Sequence, residues 1–235
     1  MSGFTFASPS RLPSMTKPTS CPLCNNLNPI HYFRDQHRDY LQCQHCQLVF
    51  VPAHQHLHVQ QEKAIYDLHQ NGMDDIGYRQ FLSRLTTPLL TQLKPAAAGL
   101  DYGCGPGPLL AAILTEAGHR MRVYDPLYAP DPEALQNSYD FITCTEVVEH
   151  FRQPGQEFQR LFGLLKADAH LGLMTKLVID QAAFQNWHYK QDLTHVSFFS
   201  KPTLHWLAQC YHCEIAFYGS DVMIFTRRYQ DASAT

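Results

Sequence analysis

The sequence predicts an α/β fold in which a mostly parallel sheet follows a small N-terminal module. Three observations predict it. Glycines crowd residues 99–108, between an apolar stretch and a helix-like stretch. A second apolar run, residues 121–125, ends on an acidic side chain, and two Cys-x2-Cys pairs precede both runs. With 235 residues, 45% of them hydrophobic, the chain suits one sizeable domain plus an appendage.

The first 52 residues divide into a tail and a metal-binding module. Residues 1–20 are rich in Ser, Thr and Pro and lack an apolar signal core, which predicts a flexible tail. The two cysteine pairs that follow have the spacing of a zinc ribbon over residues 21–52, and four thiolates would hold Zn²⁺ in a closed structural site. The alternative is four unrelated thiols. The predicted ligands are Cys21, Cys24, Cys43 and Cys46, for which His31, His37 and His45 could substitute.

Residues 53–95 are predicted to be a largely helical linker. Apolar side chains recur at helical intervals from Ile65 to Leu93, with a gap at Gly72, and Pro95 ends the pattern. The side chains of this segment could contact a ligand, but packing on the core and exposure to solvent account for them equally well.

The glycine-rich run carries the clearest functional signal. Gly103, Gly105 and Gly107 would let the backbone approach a ligand closely, and a helix starting near Pro108 would point free N–H groups at it. Asp125 follows at the end of the next strand, where an acid can hold ribose hydroxyls. The alternative is an ordinary strand–turn–helix corner with spare glycines.

Residues 100–107, Leu-Asp-Tyr-Gly-Cys-Gly-Pro-Gly, resemble the first motif of class I S-adenosylmethionine (SAM) dependent methyltransferases. Residues 139–150 resemble their fourth strand, which often ends in Glu-His, and residues 164–175 resemble the next helix end and strand. The resemblance covers residues 96–235 and implies a Rossmann-like SAM-binding domain. The resemblance implies that Asp125 binds the ribose of SAM and that Thr145 and Glu146 lie beside its sulfonium. It also implies that a helical lid brings Tyr78 to the cofactor. The cofactor contacts of the first motif would be Asp101, Gly103, Cys104, Gly105 and Gly107.

One part of the sheet departs from the family pattern. Only residues 126–138 separate the second strand from the fourth, and Pro126, Pro130 and Pro132 are poor strand residues. The third strand is therefore expected to be absent or very short. At the C-terminus, two apolar runs near residues 215–218 and 222–225 predict an antiparallel hairpin.

A polar and aromatic stretch, residues 184–199, is expected to form a loop at the carboxyl edge of the sheet, where ligands of open α/β sheets bind. It resembles the Asp-x-Thr-His-Val segment that faces the substrate in one broad methyltransferase group. His195 and His150 are the candidate bases and Asp192 could orient one of them, while Tyr189 and His188 are candidate substrate contacts. A histidine there could equally cap a helix or bond a carbonyl. The resemblance favours a structural role for Glu149.

Composition narrows the function. The net charge of −3 and the lack of a Lys/Arg run favour a small-molecule methyl acceptor, modified on O, N or C, over nucleic acid. An RNA methyltransferase that reads its substrate through the ribbon is the first rival, and a non-catalytic SAM-fold binding protein is the second. No apolar run approaches the ~20 residues that span a bilayer. The expected protein is a cytoplasmic monomer or dimer that uses SAM and structural Zn²⁺.

Overall fold

The computed structural model describes residues 19–68, 72 and 74–228. The predicted N-terminal tail lies outside the described residues except for Thr19 and Ser20, and Ser20 forms an isolated β-bridge with Leu27. Within the described residues, no helix combines the length and the apolar character that a membrane span requires.

Ten strands and six α-helices follow one another within the described residues. The N-terminal part contains β1 (Ile30–Arg34), β2 (Asp39–Gln42), β3 (Val49–Phe50), α1 (Val59–Tyr66) and α2 (Ile76–Leu90). The middle contains β4 (Ala98–Tyr102), α3 (Leu109–Glu116), β5 (Arg120–Tyr124), β6 (Tyr139–Thr145), α4 (Pro154–Gly163) and β7 (Leu165–Met174). The C-terminal part contains α5 (Gln181–Gln185), β8 (Ser197–Phe198), α6 (Lys201–Cys210), β9 (Cys213–Tyr218) and β10 (Val222–Arg227).

The central sheet has the strand order β5-β4-β6-β7-β10-β9. The first four strands are parallel, and β10 runs antiparallel to both β7 and β9, which confirms the predicted C-terminal hairpin. Among the described residues no strand lies between β5 and β6; the segment forms a 3-10 helix, Pro132–Gln136, instead. The expected loss of the third strand is therefore confirmed.

Helices cover both faces of this sheet. On one face, α2 and α3 pack Leu85, Leu89 and Leu114 against Phe141 and Ile224 of the strands. On the other face lie α4 and α6, whose buried side chains include Phe158, Leu161, Leu204 and Leu207. The segment that the sequence predicts to be helical, residues 53–95, contains the two separate helices α1 and α2. The side chain of Asp75 caps the start of α2 by accepting a hydrogen bond from the N–H of Tyr78.

The N-terminal module shares its sheet and its core with the rest of the chain. Its strands form a second sheet, β1-β2-β3-β8, in which β8 comes from the C-terminal half. Cys21, Cys46 and Phe50 belong to the same buried cluster as Phe158 and Phe199. The N–H of Gly155 at the start of α4 donates to the carbonyl of Pro22 at 3.1 Å, and a side chain at Gly155 would collide with the backbone of Leu23.

Candidate active site

The glycine turn lies between β4 and α3, at the carboxyl edge of the sheet. Gly103 and Gly105 have φ of +80° and +62°, a region that favours glycine. A Cβ on Gly103 would lie 2.5 Å from Val147, so the chain after β6 packs directly on this turn. Apart from its chain neighbours, no atom of the described residues lies within 4 Å of a Cβ built on Gly105, which leaves open space beside the backbone. Cys104 and Gly107 are half-buried in the same turn.

Asp125 closes β5 beside this turn and is 9% exposed. Its Oδ2 accepts a hydrogen bond from the N–H of Gly105 at 3.1 Å, and its Oδ1 accepts from the N–H groups of Leu127 and Tyr128. The carboxylate therefore joins the glycine turn to the segment that replaces the third strand.

Asp101 lies inside the sheet on β4 and accepts a hydrogen bond from the Thr143 hydroxyl at 2.9 Å. Burial raises the pKa of this carboxyl to about 7; the hydrogen bond from Thr143 lowers it, and the charge of Asp125 raises it further.

The carboxyl end of β6 presents two polar side chains. Thr145 Oγ1 is buried and has no hydrogen-bond partner among the described residues. Glu146 has φ of +52°, an uncommon conformation for a non-glycine residue, and its N–H donates to the carbonyl of Met174. Burial raises the pKa of Glu146 to about 7, against the lowering effect of the Lys176 charge.

A cluster of Glu149, His150 and His195 lies one turn beyond β6. One ligand-type atom from each residue lies within 4.8 Å of the others, and the two imidazole centroids are 4.7 Å apart. Glu149 is fully buried and His195 is 7% exposed. Tyr189 links the cluster to β6, because its hydroxyl donates to Glu149 Oε1 and lies 3.4 Å from Glu146 Oε2. We call Glu149, His150 and His195 the histidine–carboxylate cluster.

The remaining predicted site residues lie at different distances from this cluster. Asp192 Oδ2 is 3.8 Å from His195 Nε2, and its Oδ1 accepts from Thr194. Burial raises the pKa of Asp192, but the bonds from Thr194 and the nearby histidines outweigh it and leave the pKa below its usual value. His188 is exposed and its Nε2 lies 2.8 Å from Lys176 Nζ. Tyr78, on α2, stacks on Phe81.

Comparison with known proteins identifies the family. A profile of methyltransferase domains matches residues 75–216, which is more than half of the chain. The chain belongs to this methyltransferase family. It is a SAM-dependent methyltransferase, and the match includes the glycine turn, Asp125 and the histidine–carboxylate cluster.

Solved structures of other methyltransferases resemble parts of this chain. The 1,6-didemethyltoxoflavin-N1-methyltransferase of Burkholderia thailandensis is 16% identical, with a TM-score of 0.49, over 86% of this chain and 100% of that chain. Magnesium protoporphyrin IX methyltransferase of Synechocystis PCC 6803, also 16% identical with a TM-score of 0.49, covers 72% of this chain and 92% of its own. No curated protein sequence matches significantly.

The four predicted zinc ligands come together at the base of the ribbon. One sulfur from each of Cys21, Cys24, Cys43 and Cys46 lies within 4.8 Å of the others, a set that could hold a metal ion. The backbone turns tightly after each pair, because Asn25 and Gln47 have φ near +60° and their N–H groups donate to the carbonyls of Cys21 and Cys43. Four sulfur donors in this arrangement fit tetrahedral Zn²⁺.

The structure adds Arg38, which the sequence analysis missed, to the surroundings of the site. Arg38 of the ribbon is 4% exposed and donates to the carbonyls of Lys190, Asp192 and Leu193, the segment that carries His195. Tyr66 at the end of α1 lies edge-on to His150, with centroids 5.2 Å apart. No sequence signal links Arg38 to that segment. For Glu149, by contrast, the family resemblance favoured a structural role.

The raised pKa of Asp101 makes stability depend on pH. The pKa falls from about 7 in the folded protein to 3.8 in the unfolded chain, so stability is full below about pH 4 and is lost as the pH rises through 7. Asp101→Asn removes this titration. The free energy of unfolding of the wild type minus that of Asp101→Asn should fall by about 2–3 kcal/mol from pH 5 to pH 8. Urea unfolding at both pH values measures it, and a constant difference would contradict the burial of an ionisable group here.

Proposed function

We propose that this methyltransferase modifies an O, N or C nucleophile of a small-molecule metabolite. The single observation that supports this proposal is the buried histidine–carboxylate cluster beside the glycine turn. Glu149 is fully buried, His195 is 7% exposed, and Tyr66 of α1 covers His150. Such an enclosed acceptor side suits a small molecule better than an RNA strand, and the net charge of −3 agrees with this.

The donor side fits SAM. The open space beside Gly105 can hold part of the cofactor. The buried Thr145 Oγ1 has no hydrogen-bond partner among the described residues, and a bound ligand could supply one. SAM supplies a methyl group on a positively charged sulfur. We assign the ribose to Asp125, the surroundings of the sulfonium to Thr145 and Glu146, a lid contact to Tyr78, and the remaining contacts to Asp101, Gly103, Cys104, Gly105 and Gly107.

On the acceptor side, His195 and His150 help to remove the proton from the nucleophile, and Asp192 orients His195 from 3.8 Å. For a hydroxyl acceptor the reaction balances as one methyl gained by oxygen and one proton released, with S-adenosylhomocysteine as the neutral by-product. Tyr189 shapes the acceptor pocket through its bond to Glu149, and His188 lies at the exposed entrance to it.

We also propose that the ribbon, residues 21–52, binds structural Zn²⁺ through its four cysteines. The sulfur arrangement and the closed, largely buried site support this. A cytoplasmic location would keep these thiols reduced.

Isotope transfer tests the acceptor class. With methyl-labelled SAM and a cell extract separated into small molecules and RNA, we expect label in the small-molecule fraction. His195→Ala should lower the rate by about 100-fold or more, because it removes a group that acts on the acceptor proton. The dissociation constant of SAM, measured by calorimetry, should not change. His205→Ala is the matched control, because His205 is exposed on α6 and its ring lies tilted against Phe217, with centroids 5.4 Å apart. Label confined to RNA, or full turnover by His195→Ala, would contradict the proposal.

A further inference from the structure

We propose that Glu149, His150 and His195 bind a divalent transition-metal cation that contacts an oxygen of the methyl acceptor. This inference rests on the proposed function and names how its acceptor side works: the two histidines act on the acceptor proton by holding the cation, not by accepting the proton on Nε2. The ligand-type atoms of the three residues lie within 4.8 Å of one another. Two imidazoles and one carboxylate suit cations such as Mn²⁺, Fe²⁺ or Zn²⁺ better than they suit Ca²⁺.

Both histidines are oriented as metal ligands are. Nδ1 of His195 lies 2.7 Å from the carbonyl oxygen of Tyr189, and Nδ1 of His150 lies 3.2 Å from that of Thr194. Because a carbonyl oxygen only accepts, each Nδ1 carries the hydrogen and each Nε2 carries the lone pair. A backbone carbonyl that fixes the tautomer in this way is the usual outer partner of a metal-binding histidine.

The carboxylate supplies an independent indication. Glu149 is fully buried, its Oε1 accepts from Tyr189, and its Oε2 has no hydrogen-bond partner among the described residues. A buried carboxylate oxygen without a donor is costly, and a bound cation would satisfy it.

The position of the cluster explains what the cation would do. The 3-10 helix Val148–His150 carries two of the ligands. The residue before it, Val147, packs on Gly103 of the glycine turn. A cation here would lie on the acceptor side of the methyl group. A bound cation lowers the pKa of a hydroxyl group whose oxygen it contacts. With an amine, the same cation would bind the lone pair that has to attack the methyl group. The acceptor class is therefore narrowed to a hydroxyl-bearing small molecule.

Manganese binding tests the site without reference to activity. The probe is Mn²⁺ added to the full chain, with the ribbon loaded with zinc, and the free Mn²⁺ signal is followed by electron paramagnetic resonance. We expect one bound Mn²⁺ per chain, and at least about tenfold weaker binding in Glu149→Gln and in His195→Gln. Asp131→Asn is the matched control, since Asp131 is a half-exposed acid paired with Arg122. Unchanged SAM affinity verifies that the variants fold.

The outcomes separate this site from the proposed function. Undetectable binding by the wild type, or equal binding by the variants, overturns the cation site even if small molecules are methylated. Binding that depends on Glu149 and His195 supports the site even if the methyl label appears only in RNA, a result that would overturn the small-molecule acceptor instead. Methylation of a nitrogen acceptor at full rate by Glu149→Gln would overturn the assignment of a hydroxyl.

Discussion

Cys46→Ser is expected to abolish zinc binding and to lower methyl transfer by about 100-fold, although Cys46 lies far along the chain from the cluster. Structural zinc in small modules contributes about 10–16 kcal/mol of folding free energy, so the ribbon should unfold without it. The loss should extend to the acceptor side, because β3 pairs with β8 and Arg38 holds the segment before His195. Elemental analysis and turnover measure the two effects.

A matched cysteine tests whether the effect is specific. Cys210→Ser changes an exposed thiol outside the set of four and should retain both zinc and turnover. Zinc-free protein with full turnover would show that the ribbon does not support the acceptor side.

Arg38 separates loss of the ribbon from loss of its contact with the site. Its guanidinium donates to three carbonyls between residues 190 and 193, so Arg38→Ala should lower kcat while zinc stays bound and SAM affinity stays unchanged. Arg34→Ala, on the same hairpin, removes a side chain that is 74% exposed and pairs only loosely with Asp39 at 3.5 Å, and it should leave kcat as it is. Equal effects of the two substitutions would assign Arg38 a merely structural role.

Local patterns in the sequence predicted the parts of the site that are local in the chain. The glycines of the first turn and Asp125 can be located because a turn crowded against a ligand requires particular residues at particular spacings. The missing third strand follows from three prolines in residues 126–138. The cysteine set follows from paired spacing, because each pair closes one tight turn.

Contacts between distant segments had no such signal. Arg38 and Lys190 are separated by 152 positions and meet where β3 pairs with β8 and the ribbon packs on the C-terminal half. The gap at Gly72 in the helical pattern indicated a break between α1 and α2, but not that the side chain of Asp75 caps the start of α2. The family resemblance favoured a structural role for Glu149, and neither its burial nor its bond from Tyr189 can be predicted from local spacing.

Asp125→Ala is expected to weaken SAM binding by at least about 100-fold. An ionised carboxylate that accepts hydrogen bonds from two ribose hydroxyls contributes about 1.5–3 kcal/mol per bond, and each 1.4 kcal/mol is tenfold in affinity. The loss has a second source in this chain. The Asp125 carboxylate also accepts hydrogen bonds from the N–H groups of Gly105, Leu127 and Tyr128. Removing the carboxylate should therefore loosen the glycine turn itself.

Asp125→Asn distinguishes the two sources. Its amide oxygen can still accept from one set of N–H groups, so the turn should be better preserved than in Asp125→Ala, while one ribose bond and the negative charge are lost. We expect an intermediate affinity by calorimetry. Asp131→Ala, which removes the acid that caps the nearby 3-10 helix through the N–H of Glu133, should bind SAM as the wild type does. If Asp125→Ala bound SAM with unchanged affinity, the ribose assignment would be wrong, and the carboxylate would serve only to shape the turn.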